Sequence, residues 1–205
     1  MLSVEIEDRR GLYKAVRSGV PSRIGMRENL SDLGFSLARQ TRVIVMAQPP
    51  APQRVLCVVI LRGGGMLYPG FLSEFVEADF CMLGLQRGDG GQGEAKCTYC
   101  SPLESSHYDS IIFLDCISAT GGTILEASRF LQTRCDTEAR LAAVICSSAV
   151  GSRALNDSGI GVIGFSLREN MKGNVVTPDF GEMDAGDIFF RAQVSPTLDL
   201  ATAAQ

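Results

Sequence analysis

The amino-acid sequence predicts an α/β fold with a mainly parallel sheet and helices on both faces. Two observations predict it: near-continuous apolar runs of strand length, and intervening segments whose apolar residues recur at helical spacing. Continuous apolar runs are typical of parallel strands that are buried on both faces. The predicted strands cover residues 55–61, 80–85, 111–114, 140–146 and 160–165, and a short helix is predicted over 151–156.

Composition and length indicate a single globular domain over residues 1–205. The chain has 45% hydrophobic residues and a formal net charge of −4, which suits one substantial core. A slightly acidic chain is not expected to bind nucleic acid, because a protein that binds the phosphates of a nucleic-acid backbone needs a basic surface. No apolar run approaches the roughly twenty residues that cross a bilayer, and the N-terminus lacks signal-peptide features. We therefore expect a cytoplasmic protein with no membrane partner.

The seven cysteines are odd in number, and several lie inside apolar runs. This pattern favours reduced thiols that act as small apolar side chains. Cys97 and Cys100 have the spacing of a zinc or redox pair, but no second pair follows, so zinc is the minor alternative. His107 is the single histidine, and no nucleophile elbow accompanies it, so a Ser-His-Asp hydrolase is not expected.

The start of the chain carries less information. Residues 1–24 are mixed and charged, and only a short helix around 12–16 is expected there. A helical pattern then runs from Gly25 through Ala38 and leads to an apolar run at 43–47. The segment 48–53 contains three prolines and is expected to form a turn or linker.

The most informative stretch is a predicted strand, loop and helix over 111–131. Its loop offers glycines, hydroxyls and the unpaired N–H groups of a helix start, which together suit a phosphate. Asp115 ends the predicted strand. Its carboxylate could accept hydrogen bonds from sugar hydroxyls or hold a divalent cation there. The alternative is an ordinary glycine-rich turn with Asp115 capping the helix. The loop residues are Ser118, Ala119, Thr120, Gly121, Gly122 and Thr123.

A second anion site is predicted directly after the strand at 55–61. Arg62 supplies positive charge, and the three glycines 63–65 expose backbone N–H groups. The alternative is a tight turn with a surface arginine. A helix is expected over 67–80, beginning near Pro69, because proline fits the first turn of a helix.

Residues 115–123, Asp-Cys-Ile-Ser-Ala-Thr-Gly-Gly-Thr, resemble the phosphoribosyl-pyrophosphate (PRPP) loop of type I phosphoribosyltransferases. Most members have two adjacent acids before Ala-Thr-Gly-Gly. One acid followed by a non-acid, as in Asp115 and Cys116, is the form in uracil phosphoribosyltransferases. The resemblance covers about residues 25–190 and implies the type I fold with a small base-binding hood. In the family, a turn containing Met-Arg precedes the first helix, and residues 26–27 are similar to it.

The resemblance also implies a set of ligand contacts. Arg62 and Gly64 match a Leu-Arg-Ala-Gly segment that contacts pyrophosphate, and Gly63 replaces its alanine. Arg87 matches an arginine that follows the next strand and approaches the pyrophosphate, whereas Gln86 departs from the family's tyrosine. Residues 86–108 correspond to a flexible hairpin hood over the active site, for which a plain surface loop is the alternative.

Residues 173–187 are similar to the segment that forms the nucleobase pocket of the family, largely from main-chain groups. Asn174 and Asp179 depart from the family pattern, and residues 182–183 add length, so the base identity stays open. An acidic loop without a ligand is the alternative. The residues assigned to the base are Val175, Val176, Gly181, Asp184 and Ala185, and Asp187 matches the second acid of the motif.

The implied reaction transfers the 5-phosphoribosyl group of PRPP to a ring nitrogen of uracil or a related pyrimidine-like heterocycle. Asp115, Arg62 and Asp184 are the candidate catalytic residues, and Asp115 is the candidate contact of a Mg²⁺ ion that arrives with PRPP. Two alternatives stay open: an enzyme of a specialised pathway that uses an unusual heterocycle, and a non-catalytic sensor of PRPP or nucleotides. Because related enzymes associate, a homodimer is expected.

Overall fold

The computed structural model describes residues 3–18, 23–87, 95–173 and 175–177. The strands are β1 (Ser3–Glu5), β2 (Val55–Leu61), β3 (Asp79–Arg87), β4 (Ala95–Cys100), β5 (His107–Ser118), β6 (Asp136–Ser148), β7 (Gly161–Gly164), β8 (Ser166–Lys172) and β9 (Val175–Thr177). The helices are α1 (Leu12–Arg17), α2 (Arg23–Met46), α3 (Tyr68–Glu74), α4 (Gly122–Gln132) and α5 (Ala149–Asp157), and a 3₁₀ turn covers Gly63–Met66.

Within these residues the strands form one mainly parallel sheet. Its order is β1-β7-β6-β5-β2-β3-β4, with β8 pairing the end of β6 and β9 pairing β8. The β3–β4 and β8–β9 pairs are antiparallel, and the other pairs are parallel. The predicted parallel α/β sheet, its five strands and the helix over 151–156 are therefore confirmed.

Helices cover both faces of the sheet, as predicted. Side chains alternate along a strand, so Ile112 and Leu114 of β5 face one way while Ile111 and Phe113 face the other. The first face packs against α1, α2 and α3, and the second face packs against α4 and α5. None of the helices in the described ranges is long and apolar enough to cross a membrane.

The first residues of the chain are more ordered than their sequence suggests. The short helix expected around 12–16 is confirmed as α1. The sequence did not predict β1, which pairs in parallel with β7 from Ser3–Val162 to Glu5–Gly164. A three-residue edge strand is too short to show a period of two, and its position depends on a partner 159 residues away in the chain, as in Ser3 and Val162.

Helix α2 begins earlier and ends later than its pattern indicates. Met26 and Arg27 lie inside the helix, so the predicted turn before it is wrong. The apolar run at 43–47 continues the helix, with Val45 buried and Val43 exposed, as a helical surface requires. Residues 48–53 then form neither helix nor strand, which confirms the predicted linker.

The helix predicted over 67–80 is too long. Pro69 does lie in the first turn of α3, but the helix ends at Glu74. Phe75 leaves the helical region with φ −108° and ψ 59°. By Asp79 the chain is already a strand, aligned with Leu56 at the amino end of β2. The chain must return to that edge because the next strand runs parallel to β2.

Candidate active site

The two predicted anion loops lie side by side at the carboxyl edge of the sheet. Strands β2 and β5 are parallel neighbours, with Val59 aligned with Leu114. The loop after β2 carries Arg62, and Asp115 lies near the carboxyl end of β5, which continues past the predicted end of the strand to Ser118. Ligands of open α/β sheets bind at this edge, so the strand order itself brings the two loops to one site.

Glycine is required where the loop after β2 meets the carboxyl end of β5. A Cβ atom at Gly63 would overlap Oδ1 of Asp115, and a Cβ atom at Gly64 would overlap the carbonyl oxygen of Leu114. The peptide bond before Arg62 is cis. The replacement of the family's alanine by Gly63 is therefore matched by close contact with Asp115 in this chain.

Asp115 is half-buried, and its Oδ1 accepts a hydrogen bond of 2.8 Å from the N–H of Cys116. The N-cap of α4 is Gly121, and no side chain caps the helix there. The alternative in which Asp115 caps the helix is therefore wrong. The carboxylate is instead oriented by its own backbone, beside the loop that follows β2.

The loop between β5 and α4 makes a turn that needs glycine at its end. Gly121 has φ 78°, in the left-handed region, and α4 begins at the next residue. The N–H of Gly122 donates to Oγ1 of Thr120 over 3.4 Å. The described strand, loop and helix confirm the predicted unit.

Two serines at the end of β6 hold the carbonyl groups of this loop. Ser147 Oγ donates to the carbonyl oxygen of Ser118 over 2.9 Å, and Ser148 Oγ donates to that of Ala119. A C=O and the N–H of the following residue point in opposite directions across a planar peptide. The N–H groups of Ala119 and Thr120 therefore face away from β6, as anion binding from that side requires.

Gly151 completes the support of the loop. A Cβ atom there would lie 2.7 Å from the carbonyl oxygens of both Ser118 and Ala119. Sequence reasoning missed Ser147, Ser148 and Gly151 as site residues. The available signal was a Ser-Ser pair that ends a buried strand and precedes a helix, and its meaning depends on the neighbouring loop.

The hydroxyl of Ser118 is the observation that most directly favours ligand binding at this loop. Ser118 is only 3% exposed, and its Oγ has no hydrogen-bond partner within the part of the chain that the structure describes. A buried polar group without a partner is unfavourable by about 1–3 kcal/mol. An anion oxygen at the loop would supply such a partner.

The proposed hood begins beside this site. Arg87 is the last residue of β3, which lies next to β2, so its backbone is at the same edge as Arg62. Residues 95–100 pair with β3 as an antiparallel hairpin, and His107 already belongs to β5. Residues 88–94 lie outside the described residues, and movement of the hairpin stays a prediction.

Only the beginning of the predicted base-binding segment is described. Val175 and Val176 lie in β9, where Val175 is 50% exposed and Val176 is 1% exposed. The side chain of Val176 belongs to the core that includes α1 and α2. The other residues assigned to the base lie outside the described residues, namely Gly181, Asp184 and Ala185, as does Asp187.

The donor set fits a Mg²⁺ ion that is shared with a ligand. Across the described ranges, no three His, Cys, Asp or Glu side chains gather in a metal-binding arrangement. Mg²⁺ commonly takes one or two protein carboxylates and completes its coordination with substrate phosphates and water. Asp115 could provide such a carboxylate.

All seven cysteines are free thiols, and five of them are buried. Cys97 and Cys100 are half-buried on β4. Cys100 Sγ lies 3.6 Å from Cys81 Sγ. Burial raises the pKa of the Cys81 thiol to about 12, so it is protonated at neutral pH. These contacts match the expected use of the thiols as small apolar groups.

A mainly parallel α/β sheet with two neighbouring glycine-rich loops at its carboxyl edge, one carrying Arg62 and the other following the strand that carries Asp115, has the fold of the type I phosphoribosyltransferases. The chain is similar to a solved protein of Aquifex aeolicus, with 20% identity and a TM-score of 0.73, over 92% of this chain and 98% of the other. It is also similar to the adenine phosphoribosyltransferase of Trypanosoma brucei, solved with AMP, pyrophosphate and ribose 5-phosphate. That likeness has 13% identity and a TM-score of 0.56, over 79% and 82% of the two chains.

A sequence model of the uracil phosphoribosyltransferase family matches residues 25–192. Because the match spans most of the chain, the protein belongs to the uracil phosphoribosyltransferase family. No curated protein matches it in sequence. Membership in a phosphoribosyltransferase family implies PRPP and a base as small-molecule substrates.

Proposed function

We propose that the protein transfers the 5-phosphoribosyl group of PRPP to a ring nitrogen of uracil or a related pyrimidine-like heterocycle and releases pyrophosphate. The observation that carries the proposal is the contact between the loop after β2 and the carboxyl end of β5, in which Gly63 lies against Oδ1 of Asp115. This contact sets a loop suited to pyrophosphate beside the strand that leads into a loop suited to the sugar phosphate. PRPP carries both groups on one ribose.

Each loop has a separate task in this proposal. The N–H groups and hydroxyls of 118–123 bind the 5′-phosphate, with Ser147 and Ser148 holding the carbonyl groups away from it. Asp115 accepts hydrogen bonds from the ribose hydroxyls. Arg62 and Arg87 bind the pyrophosphate, where their charge offsets the negative charge that develops as it leaves.

In the reaction, the bond between C1′ of the ribose and a pyrophosphate oxygen breaks, and the oxygen keeps the electron pair. The ring nitrogen forms the new bond to C1′ and gives up its proton. The ribosyl carbon carries positive charge between these events, so the site must exclude water. Asp115 is the residue that would hold a Mg²⁺ ion, and the ion would supply further positive charge to the departing pyrophosphate.

The base is oriented by the segment 173–187 in this proposal, and Asp184 is the residue that polarises or orients it. His107 is not the acid–base group, because it lies at the amino end of β5, while Asp115 lies near the carboxyl end of the same strand. A second candidate acceptor is a heterocycle other than uracil. The departures at Asn174 and Asp179 favour it, since both lie where the family's pocket residues are expected.

The test is pyrophosphate release from PRPP with Mg²⁺ across a panel of uracil, cytosine, orotate, purines and substituted pyrimidines, with product masses recorded. Pyrophosphate release with uracil would support uracil as the acceptor. Pyrophosphate release with one other heterocycle would identify that heterocycle as a specialised acceptor. PRPP binding without release for any base would contradict the transferase proposal and favour a sensor.

Asp115→Asn provides a matched variant for this assay. The amide keeps the size of the side chain but loses the charge, so we expect turnover to fall by about a hundredfold or more. The free energy of unfolding, measured by urea titration, should change by less than about 1 kcal/mol, because the residue is only half-buried. Equal turnover in the two proteins would remove Asp115 from the mechanism.

A further inference from the structure

We propose that Glu169 is a positioning residue for the base-binding segment, and that α1 belongs to the acceptor side of the active site because it holds Glu169 in place. The inference rests on the proposed function for its kinetic readout. The sequence left residues 1–24 without a role, and it did not single out Glu169.

Both carboxylate oxygens of Glu169 are engaged by α1. The hydroxyl of Tyr13 donates to Oε1, and Nη2 of Arg17 lies 2.9 Å from Oε2. The side chains of Arg17 and Glu169 are only 11% and 17% exposed. For comparison, the side chain of Arg39 in its 3.2 Å ion pair with Glu74 is 77% exposed. The clamp of Tyr13, Arg17 and Glu169 is therefore an enclosed polar contact.

The protonation states support this clamp. Burial by itself would raise the pKa of Glu169, but hydrogen bonds from Tyr13, Ser166 and Arg17 outweigh burial and hold the pKa below its usual value. Burial raises the pKa of the Tyr13 hydroxyl, and the nearby Cys146 and Glu169 raise it further. A neutral phenol therefore donates to an ionised carboxylate at neutral pH.

Glu169 lies one strand away from residues 118–123, here called the phosphate loop because the proposal assigns them the 5′-phosphate. In the ladder between β6 and β8, Glu169 is aligned with Ser148. The hydroxyl of Ser148 donates to the carbonyl oxygen of Ala119 in the loop after β5. The clamp is thus at the carboxyl edge of the sheet, where the two anion loops lie.

Beyond Glu169, β8 leaves β6 and turns into β9, which opens the base-binding segment. The pairs along this hairpin run from Asn170–Thr177 to Lys172–Val175. Helix α1 contacts the first strand of the hairpin, and the second strand shares a buried cluster with it. Glu169 is clamped on β8, and Val176 of β9 belongs to the same buried cluster as Val16 of α1.

A ring contact strengthens the link between α1 and the start of β8. Tyr13 stacks on Phe165, with 6.1 Å between ring centroids and 12° between planes. Phe165 lies between β7 and β8. Helix α1 therefore fixes the path of the chain from the sheet into the hairpin, and a change at Glu169 should displace the segment that follows.

The experiment compares Glu169→Gln and Tyr13→Phe with two controls. Arg39→Gln removes an exposed ion pair, and Val55→Ala loses core packing at the amino end of β2, the opposite edge of the sheet. KM for the base, KM for PRPP and kcat are measured for each protein. Amide hydrogen exchange is measured separately over 166–177, which requires no activity.

For Glu169→Gln we expect KM for the base to rise about tenfold, with KM for PRPP and kcat within about twofold of wild type. Amides of 166–177 should exchange about tenfold faster, and Tyr13→Phe should show both effects to a smaller degree. Both controls should leave the base KM and the exchange of 166–177 unchanged. If Glu169→Gln does not fold, Tyr13→Phe carries the test.

A KM change that is equal for base and PRPP, or that Val55→Ala reproduces, would overturn the positioning role. Unchanged exchange over 166–177 in both clamp variants would overturn it as well. A wild-type protein that releases no pyrophosphate with any base would instead contradict the proposed function. In that case faster exchange in the clamp variants still supports the structural part of the inference.

Discussion

Gly63 and Gly64 differ in what an added methyl group would meet. Because of this difference, we expect a substitution at Gly63 to affect ligand binding and one at Gly64 to affect stability. At Gly63 the methyl would meet a carboxylate oxygen of Asp115, which can turn aside, whereas at Gly64 it would meet the backbone carbonyl of Leu114. Rotation of Asp115 affects the ligand more than the fold. Displacement of a backbone carbonyl affects the core between β2 and β5.

We therefore expect Gly63→Ala to weaken PRPP binding by about tenfold or more while the free energy of unfolding changes by less than about 1 kcal/mol. Gly64→Ala should lower the free energy of unfolding by about 1–3 kcal/mol or more, because overpacking strains the backbone. Calorimetric titration with PRPP and urea unfolding measure the two quantities. Equal loss of stability in both variants would contradict this distinction.

The low pKa of Glu169 leads to a dependence of stability on pH. A carboxylate whose pKa is lower in the folded state stabilises the protein above the ordinary pKa of glutamate. That contribution is lost as the pH falls through the folded-state value. Tyr13, Ser166 and Arg17 are the groups that face it, and burial opposes their effect.

The prediction is that the difference in unfolding free energy between wild type and Glu169→Gln is largest near neutral pH and shrinks on acidification, since protonated glutamate resembles glutamine. Urea unfolding at a series of pH values measures it. A difference that stays constant down to the acid limit would show that the charge of Glu169 does not contribute.

At the scale of elements, the end of β6 determines the shape of the phosphate loop. The hydroxyl of Ser147 is the buried donor for the carbonyl of Ser118. Removing the hydroxyl leaves this carbonyl without that donor and permits the peptide to rotate. The N–H of Ala119, which belongs to the same peptide, would rotate with it.

Ser147→Ala should therefore raise KM for PRPP several-fold, with little change in kcat, and lower stability by about 1–3 kcal/mol. Ser152→Ala is the matched control, because Ser152 is a buried serine whose hydroxyl donates to the carbonyl of Leu167 over 3.2 Å. It should lose similar stability without a change in KM for PRPP. An equal KM effect in both variants would assign Ser147 a general structural role.

The elements that could be predicted are those whose environment is uniform along their length. Strands β2, β5 and β6 are buried on both faces by helices, so their sequences are continuous apolar runs. By contrast, β8 has few apolar residues, and it pairs with the end of β6 and with β9. These pairings depend on the tertiary fold, so the local sequence pattern of β8 does not predict them.

The same reasoning explains which site residues were found. Arg62 follows a buried strand directly and Asp115 lies near the end of another, so their place at the carboxyl edge is predictable from chain order. Ser147 holds a carbonyl group about 30 residues away, and Glu169 is held by a helix more than 150 residues away in the chain. Their roles depend on strand order and on the packing of α1 against the sheet. Neither can be predicted from the spacing of residues along the chain.

For the molecule as a whole, the two edges of the sheet differ in character. A cavity of about 580 Å³ opens at the amino edge, lined in part by the prolines of 48–53 and by Asp109 and Arg140, and it includes no predicted site residue. The carboxyl edge carries the two loops, β8 and the clamp from α1. The described residues of the two predicted anion sites therefore lie at the edge of the sheet opposite this cavity.

The central claim is that the loop after β2 binds the pyrophosphate end of PRPP while the loop after β5 binds the phosphate end. Calorimetric titration of wild type and Arg62→Ala with PRPP, pyrophosphate and ribose 5-phosphate tests it most directly. We predict that Arg62→Ala weakens PRPP and pyrophosphate alike, by about tenfold or more, and leaves ribose 5-phosphate unchanged. Unchanged affinity for PRPP and pyrophosphate would contradict the account.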